Sequence, residues 1–157
     1  MSLSHRIHEL LADIGPALDL LIIDEYEAEH LWHIAMDSET IFFAEIDEAR
    51  ATLVLSADVG SPSGGAYLKL YELLLTYNHH WDQTAGMRLT LDAPEGGVWL
   101  WGEIAIAVLD RTVLSGFLED YRRKIGAWKQ IVRDFARTTA SASERFDLHA
   151  AQGMIRG

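Results

Sequence analysis

The side chains able to do chemistry in this chain are histidines and carboxylates, because it has no cysteine to serve as nucleophile or thiolate ligand. His30 and His33 lie three apart around Trp32, just after the acidic run Asp24, Glu25, Glu27 and Glu29. A shared metal needs its ligands on one face, and three apart in a strand means opposite faces. His79-His80-x-Asp82 closes a helical stretch, where imidazole is favoured by the helix dipole, so capping is the simpler role. Asp92 and Glu95 belong to a turn, and the run from Asp24 to Glu29 reads as a solvated loop or sheet edge. Gly60-Ser-Pro-Ser-Gly-Gly65 lacks the trailing Lys-Ser/Thr of a phosphate loop, and no Gly-x-Ser-x-Gly elbow occurs. The expectation is a protein with no catalytic residue, no metal ligand and no cofactor.

The elements around these residues are built for packing. Leu3, Ile7, Leu10, Leu11 and Ile14 recur at helical spacing, and Gly15-Pro16 stops them. Leu18 to Asp24 is apolar, short and extended in character. Three strands are expected over His30–Met36, Glu39–Ile46 and Thr52–Ala57, with links too short for parallel crossovers, hence an antiparallel meander. A helix over Ala66–His80 has only Lys69, Glu72 and Thr76 as polar positions before Asn78. A helix apolar nearly all round must be covered on more than one side, and a second subunit is the cover expected.

A hairpin follows, Met87–Asp92 returning through Val98–Gly102 after the turn Ala93–Gly97. Its Trp99 and Trp101 point away from Val98, Leu100 and Ile104, so both faces are apolar and one calls for a partner. Leu114, Leu118, Tyr121, Ile125, Trp128, Val132 and Phe135 then step by four and three along one face of a helix of roughly seven turns. Beyond Arg137 the period is lost. Residues 1–138 are therefore expected to form one α+β domain, in the order α-β-β-β-α-β-β-α around a twisted antiparallel sheet packed by helices. Residues 139–157 are expected to form a flexible tail.

Composition narrows the partners. The 157 residues are 49% hydrophobic and 24% charged, enough for one domain with a proper core. The net charge of −11 is uneven: residues 1–110 carry nineteen Asp/Glu against four Lys/Arg, and residues 111–157 carry five against nine. An acidic body repels phosphate backbones, so nucleic acid is not the expected partner; the charge either draws a basic protein segment or serves to keep an apolar-rich protein in solution. No apolar run approaches the ~18–20 residues of a membrane span, so no membrane insertion is expected. The first residues lack the apolar stretch of a signal peptide, from which a cytoplasmic location is expected.

The element order, with the acidic Asp24-Glu25, Leu55-Ser-Ala-Asp-Val-Gly60-x-Pro62, Leu73-Leu74-Leu75-x-x-Asn78, Leu89-x-Leu91-Asp92 with Gly97, and Phe117-Leu118 with Trp128, resembles the small class I chaperones of bacterial type III secretion. These are the Tir-chaperone-like (CesT-like) proteins, and the resemblance covers about residues 3–135. Glu103-Ile-Ala-Ile-Ala-Val lacks the Leu-Pro common at that place, and the tail is longer than typical. The resemblance implies a homodimer that, without ATP, holds an extended N-terminal, non-globular segment of a secreted effector and keeps it competent for export. It implies effector contacts at Leu11, Ile14, Leu31, Ile34 and Phe43. Helix character and resemblance together put Tyr71, Leu74, Leu75, Asn78, Trp99 and Trp101 at the dimer interface. A regulatory or sensory module of the same fold, resembling the enterobacterial YbjN-type proteins, is the alternative. A small ligand-binding or enzymatic α+β protein is a more distant one.

Overall fold

The computed structural model describes the backbone of residues 2–62 and 67–154, and side chains as far as residue 135 except that of Glu27. Helix α1 (Leu3–Ile14) starts where the Ser2 hydroxyl accepts the His5 N–H at 3.2 Å, and a 3-10 turn at Gly15–Leu18 follows it. Six strands follow in chain order: β1 (Ile22–Tyr26), β2 (Leu31–Ala35), β3 (Ile41–Asp47), β4 (Thr52–Gly60), β5 (Arg88–Leu91) and β6 (Val98–Ala105). Helix α2 (Tyr67–His79) lies between β4 and β5, and α3 (Arg111–Met154) closes the chain. The sheet is antiparallel throughout, ordered β1-β2-β3-β4-β6-β5.

The α+β class and the single layered domain agree with expectation, with one strand more than the five expected. The addition is β1, which takes up the second half of the stretch expected to be extended, from Ile22, together with the start of the acidic run, while Leu18 closes the 3-10 turn and Asp19 adopts a left-handed φ of 52°. Asp and Glu are poor strand formers, but an edge strand tolerates them because its outer side faces water. The acidic run is thus a sheet edge, ending in a 3-10 turn at Glu27–Glu29.

One sheet face carries the core. Trp32, Ile34, Phe42, Ala44, Leu53, Leu55 and Leu100 are buried there together with Ile7, Leu11 and Ile14 of α1. Helix α3 contributes Leu114, Leu118, Tyr121, Ile125, Trp128 and Val132, all buried, with Phe135 packed at the margin. The Tyr121 hydroxyl donates to the Leu100 carbonyl at 2.7 Å, and burial pushes its phenol well above the ordinary tyrosine value. Gly102 makes this approach possible: a Cβ there would sit 3.2 Å from the Phe117 ring and 3.3 Å from that of Tyr121. Helix α3 stays helical to Met154, past the point where the apolar period ends. The side chains of the tail segment 139–157, and the backbone of its last three residues, lie outside the described residues.

Candidate protein-binding surfaces

The histidines are dispersed. His30, in the turn just before β2, has a positive φ of 51° and places Nε2 3.7 Å from Glu48, while His33 Nδ1 lies 3.9 Å from Asp24 on the neighbouring strand. His8 of α1 pairs with Glu25 of β1. His79 and His80 meet edge to face at the end of α2, with ring centroids 5.3 Å apart. Among the described residues, no group of three or more His, Asp or Glu could hold a metal ion.

The sheet face opposite the core is where side chains remain available. Cross-strand partners share a face, so the register places three rows at its β1 end. They are Ile22–Ala35–Ile41, Asp24–His33–Phe43 and Tyr26–Leu31–Glu45. Ile22, Tyr26 and Ile41 are 45%, 51% and 42% exposed, and Leu31 and Phe43 are half-buried. The His33 and Phe43 rings lie 5.4 Å apart at the middle of this patch. Of the five expected effector contacts, Leu31 and Phe43 therefore stand on open sheet. Leu11, Ile14 and Ile34, at most 1% exposed, lie in the core, because α1 packs on the same face as α3. Ile22, Tyr26 and Ile41 went unnoticed, although Ile22 and Tyr26 alternate with Asp24 at the strand period.

At the other end, α2 packs beside β5. Leu70 and Leu74 enter the core, and the Tyr77 ring meets Trp128 edge-on at 5.1 Å. Asn78 fixes the pair: its side-chain amide donates to the Leu89 carbonyl at 2.8 Å, and its side-chain oxygen accepts the Leu89 N–H at 2.9 Å. Tyr71, Leu74, Leu75, Asn78, Leu89, Thr90 and Leu91 line a groove of about 320 Å³ here. Leu68 and Leu75 are 72% and 70% exposed, seven residues apart on one helix face. Trp99 and Trp101 flank the same edge from the open sheet face, and the Trp101 indole N–H donates to Thr90 Oγ1 at 2.8 Å. The six expected interface residues thus fall on two surfaces that meet around β5. Leu74 supports its surface from within, being only 5% exposed.

Charge is handled differently at the two ends. Glu103 of β6 is held by Arg88 and by Arg50, whose Nη1 lies 3.0 Å away, and the Arg88 hydrogen bond is the largest cause keeping its carboxyl below the ordinary glutamate value. Asp47 is held down in the same way by its hydrogen bonds from Arg50. The carboxylates of β1 have imidazole partners instead.

Known proteins share this layout. The Tir chaperone protein (CesT) family model matches residues 9–129. A chain of the ExsC–ExsE complex superposes with a TM-score of 0.70 at 21% identity, covering 84% of this chain and 97% of that one. A chain of the HopA1–SchA chaperone–effector complex gives 0.65 at 18% identity, covering 81% and 95%. The Yersinia pestis type III secretion chaperone SycH, solved with a stable fragment of YscM2, gives 0.60 at 20% identity, covering 81% and 99%. No curated protein matches the sequence. At these identities the structural likenesses establish the fold. The family match spans most of the chain, including all six strands and both candidate surfaces, and the chain belongs to the Tir chaperone protein (CesT) family.

Proposed function

We propose that this protein is a type III secretion chaperone. It works as a homodimer in the cytoplasm, binding an extended N-terminal segment of a secreted effector and keeping it export-competent without ATP or any catalytic step. The observation that carries the reading is the family match over residues 9–129 on a fold with a free sheet edge and an open apolar face beside it. An extended segment supplies the backbone groups an edge strand lacks and lays alternate side chains on the face next to it. Such a segment would contact Leu31 and Phe43, joined by Ile22, Tyr26 and Ile41. Leu11, Ile14 and Ile34 shape the sheet and helix from beneath. The dimer forms where α2 leaves Leu68 and Leu75 bare beside the groove against β5, with Tyr71, Asn78, Trp99 and Trp101 around it.

The deciding experiment is affinity purification of the tagged protein from its source cell, with mass spectrometry of what is retained and limited proteolysis of the complex. One larger protein, shielded from protease over a stretch near its N-terminus, is the expected result. A folded regulator bound through a globular domain would overturn it.

A further inference from the structure

Residues 7–49 contain twelve Asp/Glu and not one Lys or Arg. They build α1, β1, β2 and β3. Three of the twelve, Asp13, Asp37 and Asp47, meet guanidinium groups brought from Arg111, Arg122 and Arg50. Among the described residues, Asp24, Glu25 and Glu48 have only imidazole partners in ion pairs: His33, His8 and His30. Imidazole is a weak cation near neutral pH, so these carboxylates keep most of their demand for positive charge. Asp24 is placed to use it. It points out between Ile22 and Tyr26 on the free edge strand, with its side chain 64% exposed.

We propose that the segment captured at β1 is a basic-apolar strand. It carries a Lys or Arg opposite Asp24, flanked at two-residue spacing by apolar side chains that cover Ile22 and Tyr26. This rests on the chaperone reading and names the chemistry of its client. The two-residue period follows from the strand itself, since only alternate residues share a face. An incoming guanidinium displaces the 3.9 Å imidazole contact of Asp24 with a charge-assisted hydrogen bond. A client with carboxylates at that position meets like charge on an edge that has no Lys or Arg to offset it.

The test uses the full chain and two fluorescein-labelled peptides, Ser-Gly-Val-Thr-Arg-Thr-Val-Gly-Ser, which sets Val, Arg and Val on one strand face, and the same peptide with Glu in place of Arg, followed by fluorescence anisotropy. The basic peptide is expected to bind at least about fivefold tighter at ~0.05 M salt, with the preference shrinking at ~0.5 M as screening lengths shorten. Asp24→Lys should abolish the preference without moving the thermal midpoint. Glu119→Lys, an equal charge change on the exposed side of α3, should keep it. Equal binding of the two peptides, or an undiminished preference in Asp24→Lys, overturns the proposal. Loss of preference in Glu119→Lys overturns it too, by showing that net charge and not the edge decides. Retention of an effector in the purification above is a separate readout, so failure of the chaperone reading and failure of this one give different results.

Discussion

The two edges of one sheet have been finished in different ways. Edge strand β5 has four residues, and each neighbour ties it down. Asn78 of α2 bonds Leu89 twice, Trp101 bonds Thr90, and Arg88 joins Glu103 in a network completed by Arg50. What stays open beside it is apolar: Leu68, Leu75 and a groove with little charge. Edge strand β1 keeps an alternation of apolar and acidic side chains and no strong cation. Permanent interfaces resemble a domain core cut in half, whereas exchangeable ones keep charge at the surface for steering and release. Under the proposed function, the β5 end would take a second copy of the chain and the β1 end a client that must leave.

The sharpest way to break this comparison uses two adjacent leucines. Leu74 is 5% exposed and Leu75 is 70% exposed, so the same substitution should act through different mechanisms. Leu74→Asp places a carboxylate in the core at a cost of about 3–5 kcal/mol, which leaves little of a small domain's stability, and the variant should unfold or aggregate. Leu75→Asp should keep native circular dichroism and split the dimer, reported as halved mass in light scattering. If Leu75→Asp stays a native-size dimer, the α2 groove is not the permanent interface. The assignment of the two ends then collapses.

Next in size is a change at the sheet centre, common to both ends. Tyr121→Phe removes the buried hydrogen bond to the Leu100 carbonyl, a cost of about 0.5–1.5 kcal/mol. It should lower the thermal midpoint while leaving dimer mass and client retention unchanged. The phenol also has a pH signature. Its folded pKa is raised, so its contribution is fully present below the ordinary tyrosine value of about 10 and falls as pH rises above it. Denaturation midpoints should therefore drop as pH rises above about 10 in the wild type and drop less in Tyr121→Phe. Equal alkaline losses in both proteins would show that another group governs that limb.

The charged networks give a smaller contrast. Glu103 has a depressed folded pKa, with the Arg88 hydrogen bond as the largest cause, so it stabilises above the unfolded glutamate value of about 4.3 and loses that contribution as pH falls below it. Glu103→Gln should cost about 0.5–1 kcal/mol at neutral pH and nothing further in acid. Asp24→Asn, at the other edge, should leave stability unmoved at neutral pH. Urea midpoints for the pair check this. A larger loss from Asp24→Asn than from Glu103→Gln would mean that β1 is held by its own charges and is not waiting for a partner's.

What could be read in advance divides along a physical line. The buried seam of α3 was legible because its seven apolar residues keep a helical period for six turns, and all but Phe135 are fully buried. That α2 carries more apolar surface than the chain's own core covers was legible for the same reason, since too few polar positions remained to face water. The β1 strand was not, because Asp24 and Glu25 interrupt its apolar run and only the position of the strand at a sheet edge makes that acceptable. Leu11, Ile14 and Ile34 show the other limit. Periodicity identifies the apolar face of an element without saying whether that face meets the chain's own core or another protein, and here it meets the core. Leu31 and Phe43 were separable from Ile34 only through the register that sets β2 against β3.

The smallest effect is expected from the one segment that could blur the comparison by covering either edge. Removing residues 141–157 deletes the end of α3, beyond Val132, the last fully buried side chain among the described residues, and beyond Phe135 at the margin. The deleted stretch begins Ser-Ala-Ser-Glu-Arg and has no apolar period to pack with. Its loss should therefore shift stability within ~0.5 kcal/mol, or about 1–2 °C in thermal midpoint. Dimer mass and peptide preference should be unchanged. A fall of many degrees would place the tail on the body. If that fall came with stronger peptide binding, the tail would be occupying β1 itself, and the client would have to displace a segment of the chaperone before pairing with the edge.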